Sequence, residues 1–564
     1  LKKELLMNPK IAALIAAARA KQQATAVATA VATVRPALEG EFTPRYHITN
    51  QYGQLIDLNC AQSEAVDLAT QGESFCLIGA AGTGKTTAMK AVIQALEQQG
   101  VGQLDPESHK HLKVPGTPAI VGLAFTRNAV ANLRKAMPAN MQANCITFHA
   151  LLEYSPVVKS KIDDEGNLIE YKVFEPQRGA DNLLPTSIKV IIVDEASMPS
   201  VELFQQVLDA LAHKVQFIFL GDINQLPPVM GTAILGYAML QLKTVQLTEV
   251  YRNAGPIVTL AHRILSGKQL AKAQFSNYEI PNKIRLQPWK KKTYPEDAVE
   301  LASRLCCQLI DAKVFDPTQD MILIPYNKAF GTIEVNKHIA DHLTKKRSEK
   351  TYEVITGYGK TYLAIGDRIL LDKEPGTVTE INHNTGYLGR PPQPASVYLD
   401  RWGILNSPDG TNSDSEVLSS VEDIDSLLSA YDASVEEGKR QASHTVTIKM
   451  DAVGEQEERE VTISASGEIN NLLMGYALTV HKAQGSEWRK VLLMIHHSNA
   501  TMVSRELLYT AVTRARESLH VICEENTFTN GIKSQRIKGT TLAEKAEHFK
   551  GKAAVTDLSR LRFN

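Results

Sequence analysis

Residues 79–86 read Gly-Ala-Ala-Gly-Thr-Gly-Lys-Thr, and their setting constrains this chain more than any other feature. An apolar run over 74–78 precedes them, and a helix-compatible run over 85–96 follows. Strand, tight glycine loop and helix in that order make a phosphate-binding loop, which belongs to a parallel α/β sheet. The glycines let backbone N–H groups wrap a phosphate chain, and the helix N-terminus adds its positive dipole end. Gly79, Ala80, Ala81, Gly82, Thr83, Gly84, Lys85, Thr86 and Thr87 are therefore expected to bind a nucleoside triphosphate, ATP in the first instance. Lys85 would reach the β- and γ-phosphates, and the Thr86 hydroxyl would face Mg²⁺. Without its flanks the same octapeptide would be only a glycine-rich turn.

A second apolar run, 188–193, leads straight into Asp194-Glu195-Ala196-Ser197. Carboxylates at the C-terminal end of a buried parallel strand stand where an open α/β sheet binds its ligands. Asp194 is expected in the metal shell, and Glu195 is expected to orient and activate the attacking water. A further strand over 215–220 ends in Gly221-Asp222-Ile223-Asn224-Gln225-Leu226-Pro227-Pro228, which places Gln225 to sense a γ-phosphate.

The 564 residues exceed one ordinary domain. Their net charge of −1 argues against a uniformly basic nucleic-acid binder, yet leaves room for a local cationic groove. Lys290-Lys291-Lys292 and Lys345-Lys346-Arg347 read singly as solvated faces. Six cysteines without a C-x-x-C pair exclude a disulfide scaffold or zinc array and fit a reducing, cytoplasmic compartment. No run is long enough to span a bilayer, so no membrane partner is expected.

Residues 1–50 lack a core of their own; helical runs over 11–21 and 24–34 make them an Ala-rich basic arm. Docking of residues 1–40 on a replication or recombination protein, docking on the chain's own surface, and simple disorder all fit that arm. Residues 51–255 alternate strands and helices as a doubly wound sheet does. Within them, 152–186 break the alternation: Asp163-Asp164-Glu165-Gly166-Asn167 between two β-like runs signals a hairpin. A second α/β unit takes in 256–361 and 471–564, with strands over 321–324, 491–495 and 519–523. It is interrupted by a β-rich insertion, 362–470, with runs over 397–399, 445–450 and 461–464. An acidic stretch, 407–439, holds a candidate helix over 421–431; a loop and an ordered insertion both fit it.

The distal half adds Tyr476-Ala477-Leu478-Thr479-Val480-His481-Lys482-Ala483-Gln484-Gly485-Ser486-Glu487-Trp488 and Leu507-Leu508-Tyr509-Thr510-Ala511-Val512-Thr513-Arg514-Ala515-Arg516-Glu517. With the phosphate loop, Asp194–Ser197 and Gly221–Pro228, these resemble the ordered motifs of superfamily 1 DNA helicases over about residues 55–525. Leu247-Thr248-Glu249-Val250-Tyr251-Arg252 sharpens the resemblance to the RecD-like, 5′-to-3′ branch and, within it, to Dda-type phage helicases. The resemblance implies two RecA-like domains closing on ATP and Mg²⁺, with single-stranded DNA crossing both and duplex parted at the junction. A phage-type role in replication or recombination, in a host cytoplasm, follows from it too.

Residue by residue, the resemblance places Gln62 at the adenine edge and gives Gln225 the link between γ-phosphate state and DNA grip. Arg252 and Arg514 reach the γ-phosphate across the cleft, where an arginine neutralises charge developing in phosphoryl transfer. Taken alone, Arg514 reads as an ion-pair partner of Glu517 along a helix. Gln484, Gly485 and Glu487 join nucleotide to track. Phe125, Thr126, Asn128, Thr147 and His149 on the first sheet, with Tyr326, Asn327, Thr479 and His481 on the second, line a single-strand channel. Small hydroxyls and amides there hold phosphates, and aromatic rings stack on bases. By position, the hairpin matches the family's duplex-splitting wedge and the insertion its SH3-like barrel, with Gly366-Asp367-Arg368 near its start. A translocase that strips proteins from single strands, a silent DNA-binding scaffold and RNA as the track stay open.

Overall fold

The computed structural model describes residues 44–553 apart from 50–53, 106–107, 113–115, 163–167, 229–230, 250–254, 269–278, 281–282, 288–293, 357–358, 372–373, 384–397, 400–404, 407–440, 452–457, 470–471 and 540. The arm helices expected before residue 35, the hairpin tip, Arg252, Lys290–Lys292 and the acidic stretch with its candidate helix lie outside the described residues.

Two short antiparallel strands come first, β1 (His47–Thr49) and β2 (Leu55–Asp57). Tyr46, Ile48 and Ile56 pack into the first domain's core, so that core takes in chain ahead of residue 51. Helix α1 (Cys60–Thr70) starts on a capping box: the Asn59 side chain accepts the Gln62 N–H, and the Gln62 side chain accepts the Asn59 N–H. Next come β3 (Phe75–Gly79), α2 (Lys85–Gln98), β4 (Ile120–Ala124) and α3 (Arg127–Ala136). They are followed by β5 (Cys145–Thr147), α4 (Phe148–Leu151), and the hairpin β6 (Ser155–Ile162) with β7 (Leu168–Glu175). The alternation resumes with β8 (Val190–Val193), α5 (Val201–Asp209), β9 (Gln216–Gly221), α6 (Ile234–Gln241) and β10 (Lys243–Leu247). The first sheet is six-stranded, ordered β10-β3-β9-β8-β4-β5, and parallel throughout. Strands β3, β4 and β8 are buried at every residue, as strands covered on both faces must be. Among the described residues β6 and β7 pair only with each other, standing off this sheet as a separate antiparallel ribbon.

The second domain opens with α7 (Pro256–Leu265), β11 (Glu279–Ile280), β12 (Ile284–Gln287), α8 (Pro295–Asp311), β13 (Met321–Ile324) and α9 (Thr332–Arg347). An antiparallel unit follows: β14 (Tyr352–Thr356), β15 (Gly359–Leu363), β16 (Arg368–Leu371), β17 (Glu374–His383), β18 (Tyr398–Leu399), β19 (Leu405–Asn406), β20 (Gln441–Met450), β21 (Arg459–Ala465), α10 (Ser466–Ile469) and β22 (Leu472–Met474). Five of its strands form one sheet, β21-β20-β17-β16-β22, and Val354 and Leu363 of the β14–β15 hairpin fill its core. This unit therefore begins about ten residues ahead of the expected 362.

The chain then returns with β23 (Ala477–Thr479), β24 (Trp488–Ile495), α11 (Arg505–Val512), β25 (Ala515–Cys523) and α12 (Glu525–Lys533). They complete a second six-stranded sheet, β11-β12-β25-β24-β13-β23, parallel except at β11. A last helix, α13 (Leu542–Ala553), leaves this domain and packs on α6 of the first. Phe549 and Ile537 lie in the first domain's core, and the buried Glu506 carboxylate accepts the N–H groups of Arg536 and Ile537 where the chain crosses.

Candidate functional site

The C-terminal ends of β3, β8 and β9 bring together the three loops singled out in the first half of the sequence. Gly82 and Gly84 adopt φ of 82° and 83°, the left-handed region glycine enters without penalty. Gly79 is needed for space instead: a Cβ there would sit 2.2 Å from Thr83 Oγ1. Lys85 Nζ folds back over the loop, donating to the carbonyls of Gly79 (2.5 Å) and Ala80 (3.2 Å). Thr86, in the first turn of α2, is exposed. The Gln62 amide meets the same loop, donating to the Gly84 carbonyl at 3.4 Å.

Asp194 directly follows β8 and accepts the Glu195 N–H at 2.9 Å. Burial and the neighbouring Glu195 push its carboxyl up to about 7, while the Lys85 ammonium pulls the other way. A cation held beside it would remove that penalty, so the donor set of Asp194 and the Thr86 hydroxyl fits a hard divalent ion. Glu195 has φ of 49°, a left-handed conformation uncommon for a residue with a side chain. Gln225 is buried, and its Oε1 has no hydrogen-bond partner among the described residues.

The second domain closes on these loops through side chains. Leu226 is the joint: its side chain lies in the second domain's core, its N–H is taken by Thr510 Oγ1 (3.0 Å), and its carbonyl by Gln484 Nε2 (2.8 Å). A second joint lies at the start of α3, where Asn128 Nδ2 donates to Ser486 Oγ (3.0 Å) and Asn132 Nδ2 to the Gly485 carbonyl (2.7 Å). Glu487 is exposed. Arg514 is 4% exposed and spends three donors locally, on Thr510 O, Ser486 O and Thr513 Oγ1. The ion pair with Glu517 along a helix does not form, because α11 ends at Val512 and β25 begins at Ala515.

Residues expected along the track fall at the ends of β4, β5, β13 and β23. Thr126 and Thr147 are N-caps of α3 and α4, accepting the N–H groups of Ala129 and Ala150, and Thr479 Oγ1 accepts the Lys482 N–H. Their oxygens thus shape the loops as well as facing them. Asn327 Oδ1 accepts the Thr332 hydroxyl at 3.0 Å, and Tyr326 is half-buried beside it. The Phe125, His149 and Tyr154 rings follow one another, with centroids 6.1 Å and 4.9 Å apart. Burial and nearby Arg536 push His481 down to about 4, so it is neutral at pH 7. Arg127, between Thr126 and Asn128, reaches Glu374 of the antiparallel unit at 3.1 Å, and Arg459 binds the same carboxylate at 2.5 Å. Sequence reasoning missed Leu226, Asn132 and Thr510 as joint residues. All but Asn132 lie inside quoted motif strings, whose order signals their importance but not their partners.

Comparison with known proteins gives two family matches, the first running past β10 into β12. Residues 57–286 match the AAA domain family, and residues 474–522 match the UvrD-like helicase C-terminal domain. The chain is similar to the ATP-dependent RecD2 DNA helicase of Deinococcus radiodurans, 26% identical over 463 residues, which cover 81% of this chain and 48% of that protein. It is also similar to the RecBCD enzyme subunit RecD of Mycobacterium tuberculosis, 22% identical over 495 residues, covering 85% of this chain and 72% of the relative. The chain thus spans about half the length of the first of these relatives. Among solved structures, Pif1 helicase from Candida albicans superposes with a TM-score of 0.42 at 14% identity, covering 89% of this chain and 100% of that one.

Proposed function

We propose, on the premise that this chain is a superfamily 1 helicase of the RecD-like type, that it hydrolyses ATP to move 5′-to-3′ along single-stranded DNA and part duplex ahead of it. The observation that supports this most is where the two domains join. The loop after β9 and the loop after β23 are bonded to each other through Leu226 and Gln484, next to the phosphate loop on one side and α3 on the other. Any change in the nucleotide-facing loops is thereby carried to the residues expected to hold DNA.

In this reading the amides of residues 80–86 cradle the phosphates, and Lys85 turns from the loop carbonyls to them. Thr86 and Asp194 would hold Mg²⁺, which supplies charge neutralisation at the phosphates. Glu195 takes the proton of the attacking water, and the unpartnered Gln225 Oε1 offers that water a second acceptor. Arg514 stands in the second domain, where a guanidinium can stabilise charge developing on the transferred phosphoryl group; Arg252 is assigned the same task. The β6–β7 ribbon serves as the wedge, and the antiparallel unit, tied to Arg127 through Glu374, closes over the track. Phage-type replication or recombination, with protein partners held by residues 1–50, is the setting we assign.

The test compares ATPase rates with and without single-stranded DNA for the wild type, Lys85→Ala and Glu195→Gln, and unwinding of 5′- and 3′-tailed duplexes. DNA-stimulated hydrolysis lost in both variants, with unwinding of the 5′-tailed duplex only, is expected. DNA binding without stimulated hydrolysis would leave a scaffold; unwinding of the 3′-tailed duplex alone would reverse the polarity.

A further inference from the structure

One hydrogen-bonded line crosses the cleft from a loop amide expected at the phosphates to side chains given no role above. The backbone N–H of Ala81, inside the phosphate loop, donates to the Tyr509 hydroxyl at 3.0 Å. That hydroxyl donates to Asp222 Oδ2. Asp222 Oδ1 accepts both the N–H (3.0 Å) and the side-chain amide (2.9 Å) of Asn224, whose own Oδ1 accepts Lys545 Nζ from α13. Tyr509 and Asp222 are 1% and 0% exposed. Burial and the adjacent Asp222 hold the phenol well above its usual range, so it stays a donor toward Asp222 and can accept only through its lone pairs. The line runs beside a cavity of 250 Å³ lined by Gly79, Ala80, Thr83, Asn224, Leu542 and Lys545, so it borders the space in front of the loop.

An amide N–H makes one strong hydrogen bond, and the loop amides are the groups that phosphates need. We propose that Tyr509 is a positioning residue that competes with the nucleotide phosphates for the Ala81 amide. The outcome passes through Asp222 to the loop that carries Gln225. This inference rests on the nucleotide-binding reading and deepens it. When phosphate takes the Ala81 N–H, Tyr509 keeps only its bond to Asp222, and α11 is released from the phosphate loop. Thr510, the next residue on α11, holds the Leu226 N–H, so the release is felt at the joint between the domains. Nucleotide binding and domain movement are then linked by a bond exchange, in which nucleotide weakens the Tyr509–Ala81 bond by the same factor as that bond weakens nucleotide binding.

Competition makes an unusual demand: removing the hydroxyl should tighten binding, whereas loss of a merely structural group would loosen it. Tyr509→Phe is expected to bind ADP and a non-hydrolysable ATP analogue, without DNA, about three- to tenfold more tightly, the span of one hydrogen bond. The amides of 79–84 should exchange with deuterium faster in the variant before nucleotide is added. Asp222→Asn keeps the ring but weakens the hydroxyl's acceptor; it is expected to tighten binding by a smaller factor, and it decides the matter if Tyr509→Phe does not fold. Unchanged or weaker nucleotide affinity in a folded variant, judged by circular dichroism and melting, overturns the competition. A wild type that binds nucleotide with unaltered variants overturns this inference alone; a wild type that binds none overturns the ATPase reading with it.

Discussion

Gly485→Ala strikes the joint at α3 with a single methyl. Gly485 has φ of 77°, and a Cβ placed on it would lie 3.1 Å from both Ala129 Cβ and Thr126 Oγ1. The left-handed backbone alone costs a residue with a side chain about 1–2 kcal/mol. Relaxing that strain, or the two tight contacts, means turning the loop away from α3. That turn lengthens Asn132–Gly485 and Asn128–Ser486, each worth about 0.5–1.5 kcal/mol net. By either route the closed arrangement should lose about 1–3 kcal/mol, whereas each domain's own core keeps its contacts. The expected result is a fall of at least about fivefold in DNA-stimulated ATPase, with basal ATPase within about threefold of wild type and a melting temperature only a few degrees lower. Measuring the three on one preparation separates coupling from folding. Stimulation within twofold of wild type would refute the reasoning, because it would mean that the loop does not need α3 to transmit anything.

Arg514→Lys replaces three directed guanidinium bonds with one point charge; kcat should fall by on the order of 10³ with the ATP KM little changed, and a loss under tenfold would dismiss the finger. Burial pushes His481 down to about 4 and His520 to about 3, so the unfolded chain, with histidines near 6.5, binds more protons than the folded one below that pH. The stability they confer is complete above about pH 6.5 and is lost as pH falls toward 4 for His481 and toward 3 for His520, at up to about 2.7 kcal/mol per pH unit for the pair. Urea unfolding at pH 7 and pH 5 reads it, and a slope unaffected by replacing both with glutamine would exclude them. Phe549→Ala removes the anchor of α13, whose ring lies where a Cβ on Gly236 would be 2.4 Å away. A loss of about 3–5 kcal/mol is expected for that contact, seen as early proteolysis between 534 and 553, and wild-type resistance would count against it.

What the sequence disclosed and what it hid differ in range. The expected strands at 74–78, 188–193 and 215–220 lie within two residues of β3, β8 and β9, because apolar runs and glycine punctuation are local signals. The loops at their ends followed with them. The joints did not: Ala81 and Tyr509 are 428 residues apart, and Leu226 and Thr510 284 apart. No periodicity ties such pairs. Arg514 illustrates the same limit, since three residues of spacing suggested a surface helix pair where a strand begins. The pairing of β1 with β2 and the return of α13 to the first domain were also missed, being short elements that gain their stability from a core built elsewhere in the chain.

The return of α13 changes the kinematics of the cleft. A two-domain enzyme joined by one linker can swing and twist about several axes. Here the backbone crosses between β10 and α7, and crosses back between α12 and Ile537, where Glu506 fixes it. Two bodies fastened at two separate points keep one easy rotation, about the line through both fastenings, and the others require stretching or unfolding one of them. Opening and closing of the phosphate site would thus follow a single repeatable arc, as a door does and a pendulum does not.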